Sequence, residues 1–190
     1  MKKYSYLLFI VVALMFSACS KKDKKSQNTQ ETKQEQQAKA TNKQTNTITL
    51  KSVDGKDIVI TKTEKGFKFS DSKDKIVLVS FFATWCPPCK AEIPHLNNLQ
   101  EKYKDKLKII GILIESGKSS DEVKRFINSF AINYTIANSP ANMDFADAVG
   151  GVKNIPFMLM YDKKGDYVTH YLGAIPEEMI DSDIQQALKR

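Results

Sequence analysis

The stretch Ile76-Val77-Leu78-Val79-Ser80-Phe81-Phe82-Ala83-Thr84-Trp85-Cys86-Pro87-Pro88-Cys89-Lys90-Ala91-Glu92-Ile93-Pro94 joins a nearly continuous apolar run to a close pair of cysteines. An apolar run of this kind is the pattern of a central strand covered on both faces. From Pro87 to about Tyr103, Ile93, Leu96, Leu99 and Gln100 fall at helical spacing. A buried strand therefore runs directly into a helix, with Cys86-Pro87-Pro88-Cys89 at the junction.

Outward from this junction the chain alternates strands and helices. Upstream, Ile48, Leu50 and Val53, a turn at Asp54-Gly55-Lys56, and Ile58-Val59-Ile60 predict a β-hairpin, with Phe67 and Phe69 adding a short strand. Downstream, Leu107 to Ile114 predicts a second buried strand. Ser119 or Ser120 caps a helix with Val123, Phe126, Ile127 and Phe130 on one face. Tyr134 to Ala137 suits a short strand, and Met143 to Val149 a short helix ended by Gly150-Gly151. Phe157 to Tyr161 and Tyr167 to Leu172 flank the turn Asp162-Lys163-Lys164-Gly165, and Pro176 opens a final helix to Leu188. The order expected is βα, βα and then ββα.

A C-x-x-C pair has three chemical readings, each needing different company. Haem attachment needs a His next, and Lys90 follows Cys89. A structural zinc site needs two further ligands; the candidates are Cys19, His95 and His170, and His95 lies six residues after Cys89, outside the short loop of a finger. A redox pair needs a stabilised thiolate, and the start of a helix supplies one through its unpaired N–H groups and its dipole. Cys86 is then the nucleophile. Cys89, one turn later on the same side, resolves a mixed disulfide. Pro87 and Pro88 have no N–H to lose at a helix start and stiffen the ring that a disulfide would close.

The segment Phe82 to Pro94 resembles the active-site segment of thioredoxin-like proteins, and specifically of the TlpA/ResA branch of membrane-attached thiol-disulfide reductases. Val53-Asp54-Gly55-Lys56 is similar to that branch's N-terminal hairpin, and Gly151-Val152-Lys153-Asn154-Ile155-Pro156-Phe157 to its cis-proline segment. The resemblance spans residues 47–190. It implies an α/β, thioredoxin-like fold, a central mixed sheet flanked by helices with an N-terminal β-hairpin extension. It also implies a Cys86–Cys89 redox disulfide and Pro156 as a cis-proline, with Ile155 offering its backbone to an extended substrate. Trp85, Pro87 and Pro88 join Ile155 as substrate contacts. Glu92, three residues after Cys89, matches a Glu that assists proton transfer in ResA-like proteins, although a first-turn acid also suits the helix dipole alone. Ser80 departs from ordinary thioredoxin, where the matching strand position holds a buried Asp.

The function implied is a protein-disulfide reductase that needs no metal or organic cofactor. Its substrates are proteins with disulfides outside the cytoplasm, apocytochrome c among them, and a membrane thiol carrier of the CcdA or DsbD type supplies electrons. A disulfide-donating oxidase or isomerase uses the same residues, and a copper(I) metallochaperone would use Cys86 and Cys89 with His170. His95, Glu115 and His170 are otherwise structural or surface residues, and Met158 and Met160 are core.

The remainder of the chain is of another kind. Residues 1–18 form a signal peptide: Lys2 and Lys3, an apolar run of thirteen from Tyr4 to Phe16, then Ser17-Ala18. Such a run reaches roughly 20 Å along a helix, short of a hydrocarbon core of about 30 Å. Phe16-Ser17-Ala18-Cys19 resembles a lipobox, with Phe16 in place of the usual Leu, so Cys19 is the expected lipidation site beside the alternative of an ordinary signal. With two or three acyl chains the anchor is firm. Ser20 to Asn46 contain no aromatic or branched aliphatic residue and read as a disordered tether, about 30 Å from end to end. The protein is therefore expected outside the cytoplasm, on the periplasmic face where there are two membranes.

Charge sharpens this division. The formal net charge of +7 splits into +2 for residues 1–18, +4 for 19–46 and +1 for 47–190. A nucleic-acid-binding domain concentrates Lys and Arg on a folded face, and a near-neutral domain argues against that class of partner.

Overall fold

The structure, a computed structural model, describes residues 46–190. The signal peptide expected at 1–18, the Cys19 lipidation site and the tether up to residue 45 lie outside the described residues. The described residues form one compact unit with its own core. Its elements are β1 (Thr47–Lys51), β2 (Asp57–Lys62), β3 (Phe67–Phe69), β4 (Ile76–Phe82), α1 (Pro87–Lys102), β5 (Leu107–Leu113), α2 (Ser120–Ser129), β6 (Thr135–Ala137), α3 (Ala141–Ala148), β7 (Phe157–Tyr161), β8 (Tyr167–Leu172) and α4 (Glu177–Ala187).

Five strands form a mixed sheet in the order β6-β5-β4-β7-β8. β4 runs parallel to β5 and antiparallel to β7, and all seven of its residues are buried. Strand alternation divides them between two cores. Val77, Val79 and Phe81 face a cluster with Leu50, Ile58 and Ile60, Phe67, Phe69 and Phe145 of α3. Ile76 and Leu78 face Leu96 and Leu99 of α1 with Ile180, Ile184 and Ala187 of α4. Met158 and Met160 are fully buried in that second cluster, as expected for core residues.

The structure extends the expected organisation in two places. The N-terminal hairpin is a three-stranded antiparallel meander, β1-β2-β3, because Phe67 and Phe69 are buried and their strand pairs with β2. Its aromatic residues seat it on the sheet: Phe67 meets Phe145 edge-on at 5.3 Å and Phe69 lies 5.6 Å from Tyr161. Such pairs contribute about 0.5–1.5 kcal/mol each beyond their buried area. Likewise β6 and α3 make a third βα unit, with β6 pairing parallel to β5, so the order is βα, βα, βα and then ββα.

Local chemistry closes the elements. Ser119 caps α2 through a reciprocal box with Glu122, each side chain accepting from the other's backbone N–H. α3 starts at Ala141, two residues earlier than the sequence pattern indicates, and ends where the Gly150 and Gly151 amides return to Asp147 and Ala146. Among the described residues no helix is long and apolar enough to cross a membrane.

The meander is also held to the β7–β8 turn by backbone contact. The Phe67 amide donates to the Gly165 carbonyl at 2.9 Å, and a Cβ on Gly66 would collide with that same carbonyl oxygen and come within 3.0 Å of the Tyr167 amide nitrogen. Neither backbone group can swing aside as a side chain can. Gly66→Ala should therefore lower stability by about 1–3 kcal/mol, read as a reduced urea midpoint. An unchanged midpoint would mean that this seam is loose.

Candidate active site

Cys86 and Cys89 lie where β4 hands over to α1 and are joined in a disulfide. Cys86 is the N-cap of α1, with extended backbone, and its Sγ accepts from the Cys89 amide at 3.3 Å. Pro87 and Pro88 occupy the first two helical positions, where their missing N–H groups leave no helical bond unmade. Both cysteines are buried, Cys86 at 2% and Cys89 at 5% exposure. Around them Trp85 is 65% exposed, and Pro87 and Pro88 are exposed as well. Trp85 is thus a surface residue and not a core one.

Two registers bring other residues to the pair. In the antiparallel β4–β7 ladder Phe81 is opposite Phe157, so the Ile155–Pro156 segment that leads into β7 is brought to the end of β4 from which the cysteine loop departs. The Ile155–Pro156 peptide bond is cis. Pro156 is buried, and Ile155 packs against the cluster that contains Cys86 and Cys89. Beside this segment is a recess of about 130 Å³ lined in part by Val152, Phe157 and Leu172.

In the parallel β4–β5 ladder Phe82 is opposite Leu113, so two steps further Thr84 meets Glu115. The Glu115 Oε2 accepts from the Thr84 amide at 3.0 Å and from its hydroxyl at 2.6 Å, and Lys118 Nζ lies 3.4 Å from Oε1. Burial pushes this carboxyl up, but the two Thr84 hydrogen bonds and Lys118 outweigh it and hold it below the usual range. A structural or surface place was the sequence expectation for Glu115. In the structure it fastens the loop that carries Trp85 and Cys86, and the signal for it was the parallel register, which needs both strands aligned.

Glu92 is the one charged residue in the buried stripe of α1, with Cys89, Ile93, Leu96 and Leu99. It is 1% exposed and, as the sixth residue of α1, stands beyond the first turn, which removes the reading of a solvated first-turn acid. Its Oε1 accepts from the Ile175 amide at 3.2 Å, and its Oε2 meets no donor among the described residues. Burial raises its pKa from 4.5 to about 7, against the lowering effect of the Ile175 bond. The Tyr134 hydroxyl is pushed up by burial and by the Glu92 charge. Ser80, also buried, lies on the α1 face of β4 by strand alternation.

The remaining candidates lie apart. His170 is exposed on β8, its Nδ1 2.6 Å from the Tyr167 hydroxyl, and His95 is half-buried on α1. Among the described residues no group of three or more His, Cys, Asp or Glu side chains converges as a metal site, so His170 is not brought to the cysteines.

The chain matches the Redoxin family over residues 22–188. It is 30% identical over 129 residues to the thiol-disulfide oxidoreductase ResA of Bacillus thuringiensis (strain Al Hakam), covering 67% of this chain and 73% of that protein. To the thioredoxin-like protein YneN of Bacillus subtilis (strain 168) it is 30% identical over 128 residues, 65% of this chain and 72% of that one. The crystal structure of a putative thiol:disulfide interchange protein DsbE from Chlorobium tepidum is alike in fold, with a TM-score of 0.61 at 22% identity over 76% of this chain and 94% of that one.

The buried Glu92 makes stability depend on pH. With its folded pKa near 7 and an ordinary value of 4.5, the folded state holds a proton that the unfolded state has lost between these values. Its favourable contribution is full below about 4.5 and is lost as pH rises through about 7. Relative to Glu92→Gln, the protein should lose on the order of 3 kcal/mol between about pH 5 and about pH 8. Urea unfolding of both proteins at the two pH values reads this directly, and a constant difference between them would refute the buried carboxyl.

Proposed function

The chain belongs to the Redoxin family and is a thiol-disulfide oxidoreductase of the ResA type, and we propose that it works outside the cytoplasm as a lipid-anchored reductant of protein disulfides. The observation that carries the reading is a buried Cys86–Cys89 pair at a helix N-terminus, under an exposed rim of Trp85, Pro87 and Pro88.

In the reduced enzyme the Cys86 thiolate attacks one sulfur of a substrate disulfide, forming a mixed disulfide and releasing the other substrate sulfur as a thiolate. The helix dipole and the amides of the first turn favour the Cys86 thiolate, and the first turn of α1 carries no acidic residue to oppose it. Cys89 then attacks Cys86 Sγ. Two electrons have passed to substrate, which leaves as a dithiol, and Cys86–Cys89 remains as the disulfide.

Cys89 must lose its proton before it can attack. Glu92, one turn along on the same helical face, has a pKa near neutrality and so can accept and return that proton. Ile155 offers its backbone to an extended substrate segment, and the recess beside Val152, Phe157 and Leu172 receives one of its side chains. The rim residues Trp85, Pro87 and Pro88 complete the contact.

Lipidation at Cys19 ties the enzyme to the membrane, and the tether gives it reach. Regeneration then comes from a membrane thiol carrier of the CcdA or DsbD type, an encounter made local by the anchor. The substrates are exported proteins with disulfides, and apocytochrome c, whose haem-binding cysteines must be reduced before ligation, is the one proposed.

Two measurements test this. The equilibrium reduction potential, read by Trp85 fluorescence or thiol alkylation against a dithiothreitol series, should fall near or below thioredoxin's, roughly −270 mV. A value near that of a strong oxidant, roughly −120 mV, would replace the reductase with a disulfide donor. In cells, Cys86→Ser should abolish turnover, while Cys89→Ala should hold substrate as a mixed disulfide recoverable on non-reducing gels. A Cys89→Ala protein that captured nothing would remove the exchange mechanism.

A further inference from the structure

The net charge of +1 on residues 47–190 conceals a segregation. Segments 62–75, 101–106, 162–166 and 188–190, together with Asp181 that pairs with Lys102, hold twelve Lys or Arg against eight Asp or Glu, and the rest of the domain holds eight against eleven. These four segments are neighbours in space. The Tyr167 amide donates to the Lys65 carbonyl at 2.8 Å and the Phe67 amide to the Gly165 carbonyl at 2.9 Å. Lys75 Nζ donates to the Lys104 carbonyl at 2.8 Å, the Ile76 amide to the Lys106 carbonyl at 2.9 Å, and Lys163 Nζ to the Leu188 carbonyl at 3.5 Å.

All of them gather at the end of the sheet where β4 and β5 begin and β7 finishes. Cys86 lies beyond the other end of β4, about 23 Å away at the rise of a strand. Lys68, Lys73, Lys75, Lys163 and Lys164 line one cleft of about 470 Å³ there. Among the described residues none of these five, nor Lys62, makes an ion pair with a carboxylate. The charge is therefore available to a partner.

The chain also enters the domain at this end. The Asn46 carbonyl accepts from the Lys62 amide at 2.7 Å, and the residues that precede it, 19–45, carry seven Lys against three acids. A basic stretch of sequence thus joins a basic pole, while the rest of the domain, which includes the cysteines, has a small acidic excess.

We propose that this basic pole seats reversibly on an anionic phospholipid surface and, while seated, holds Trp85 and the cysteine pair facing away from it towards substrate, regeneration at the membrane carrier following when the domain lifts off and turns. Each Lys near such a surface adds to the attraction, which decays within roughly 8 Å, so only the nearer pole takes part. The rest of the domain, with its small acidic excess, gains nothing from the same field, so attraction of the lysine cluster also orients the molecule. Lysines on turns and strand ends, around the point of tether entry, suit a broad charged plane. The proposal deepens the reading of a membrane-attached reductase and rests on it for the membrane concerned, but the charge argument needs neither the lipid nor the redox chemistry.

The test uses the chain from Ser20 onward, which retains the whole compact unit and lacks the lipidation site. It should sediment with phosphatidylcholine vesicles containing about 30% phosphatidylglycerol and not with phosphatidylcholine alone, and high salt should release it. Lys68→Glu/Lys73→Glu/Lys163→Glu should weaken that partition at least about tenfold, without altering reduction of a soluble disulfide substrate. Trp85, the sole tryptophan, should remain unquenched by brominated lipid. Equal binding by the triple variant, quenching of Trp85, no binding to the anionic vesicles, or tighter retention on duplex DNA than on vesicles would each overturn the proposal. Failure of the redox reading would show instead as loss of disulfide reduction by the unsubstituted chain, with vesicle binding intact.

Discussion

The position of the cysteine pair depends on β4 being hydrogen-bonded along both edges and buried on both faces. A strand so enclosed cannot slip by one residue, since a slip would exchange the side chains of its two cores. Its last residue therefore has a fixed place and direction. The same two registers that hold β4 in the sheet continue beyond its end, one towards Glu115 and the other towards Ile155 and Pro156. Even Gly111 serves this arrangement: a Cβ there would lie 2.6 Å from Ile136 Cδ1 and 3.2 Å from the Phe82 ring. The sheet leaves that space to the aromatic residue from which the active-site loop departs.

Around the cysteines the electrostatics are set by what burial does to carboxyl groups. Glu115 is held ionised because Thr84 and Lys118 satisfy it, and it acts as a clamp on the loop. Glu92 has one hydrogen bond and an apolar surrounding, so its proton is held to near neutrality. A permanently charged acid beside the pair would oppose thiolate formation, whereas a group that is half-protonated near neutral pH can follow the cysteines through their cycle. The difference between the two acids is one of partners and solvation.

The strand-to-helix junction, the helix spacing and the hairpin turns were legible because they are local patterns of apolar period and turn chemistry. The resemblance carried by Phe82 to Pro94 and by Gly151 to Phe157 supplied the thioredoxin-like architecture. Two kinds of feature were not legible. The grip of Glu115 on Thr84 and the pairing of the meander's third strand with β2 join separate segments, and Phe67 and Phe69, which mark the strand, do not say which neighbour it chooses. The lysine cluster is invisible to a sum: residues 47–190 are near neutral in total, yet Lys68, Lys73, Lys75, Lys163 and Lys164 line one cleft. Burial of Glu92 lay between these cases, for helical spacing placed it beside Cys89 but only packing showed the stripe to be closed.

The double enclosure of β4 also divides the molecule by how readily its amides meet solvent. In β4 the N–H groups are bonded within the sheet interior, and their exchange with deuterium requires opening of the whole domain, whereas β6 and β8 at the sheet margins can open singly. The cysteines sit where the slowest-exchanging segment gives way to an exposed turn. Redox cycling can then rearrange a few residues around Trp85 while the register behind them stays closed, so each turnover begins from the same geometry.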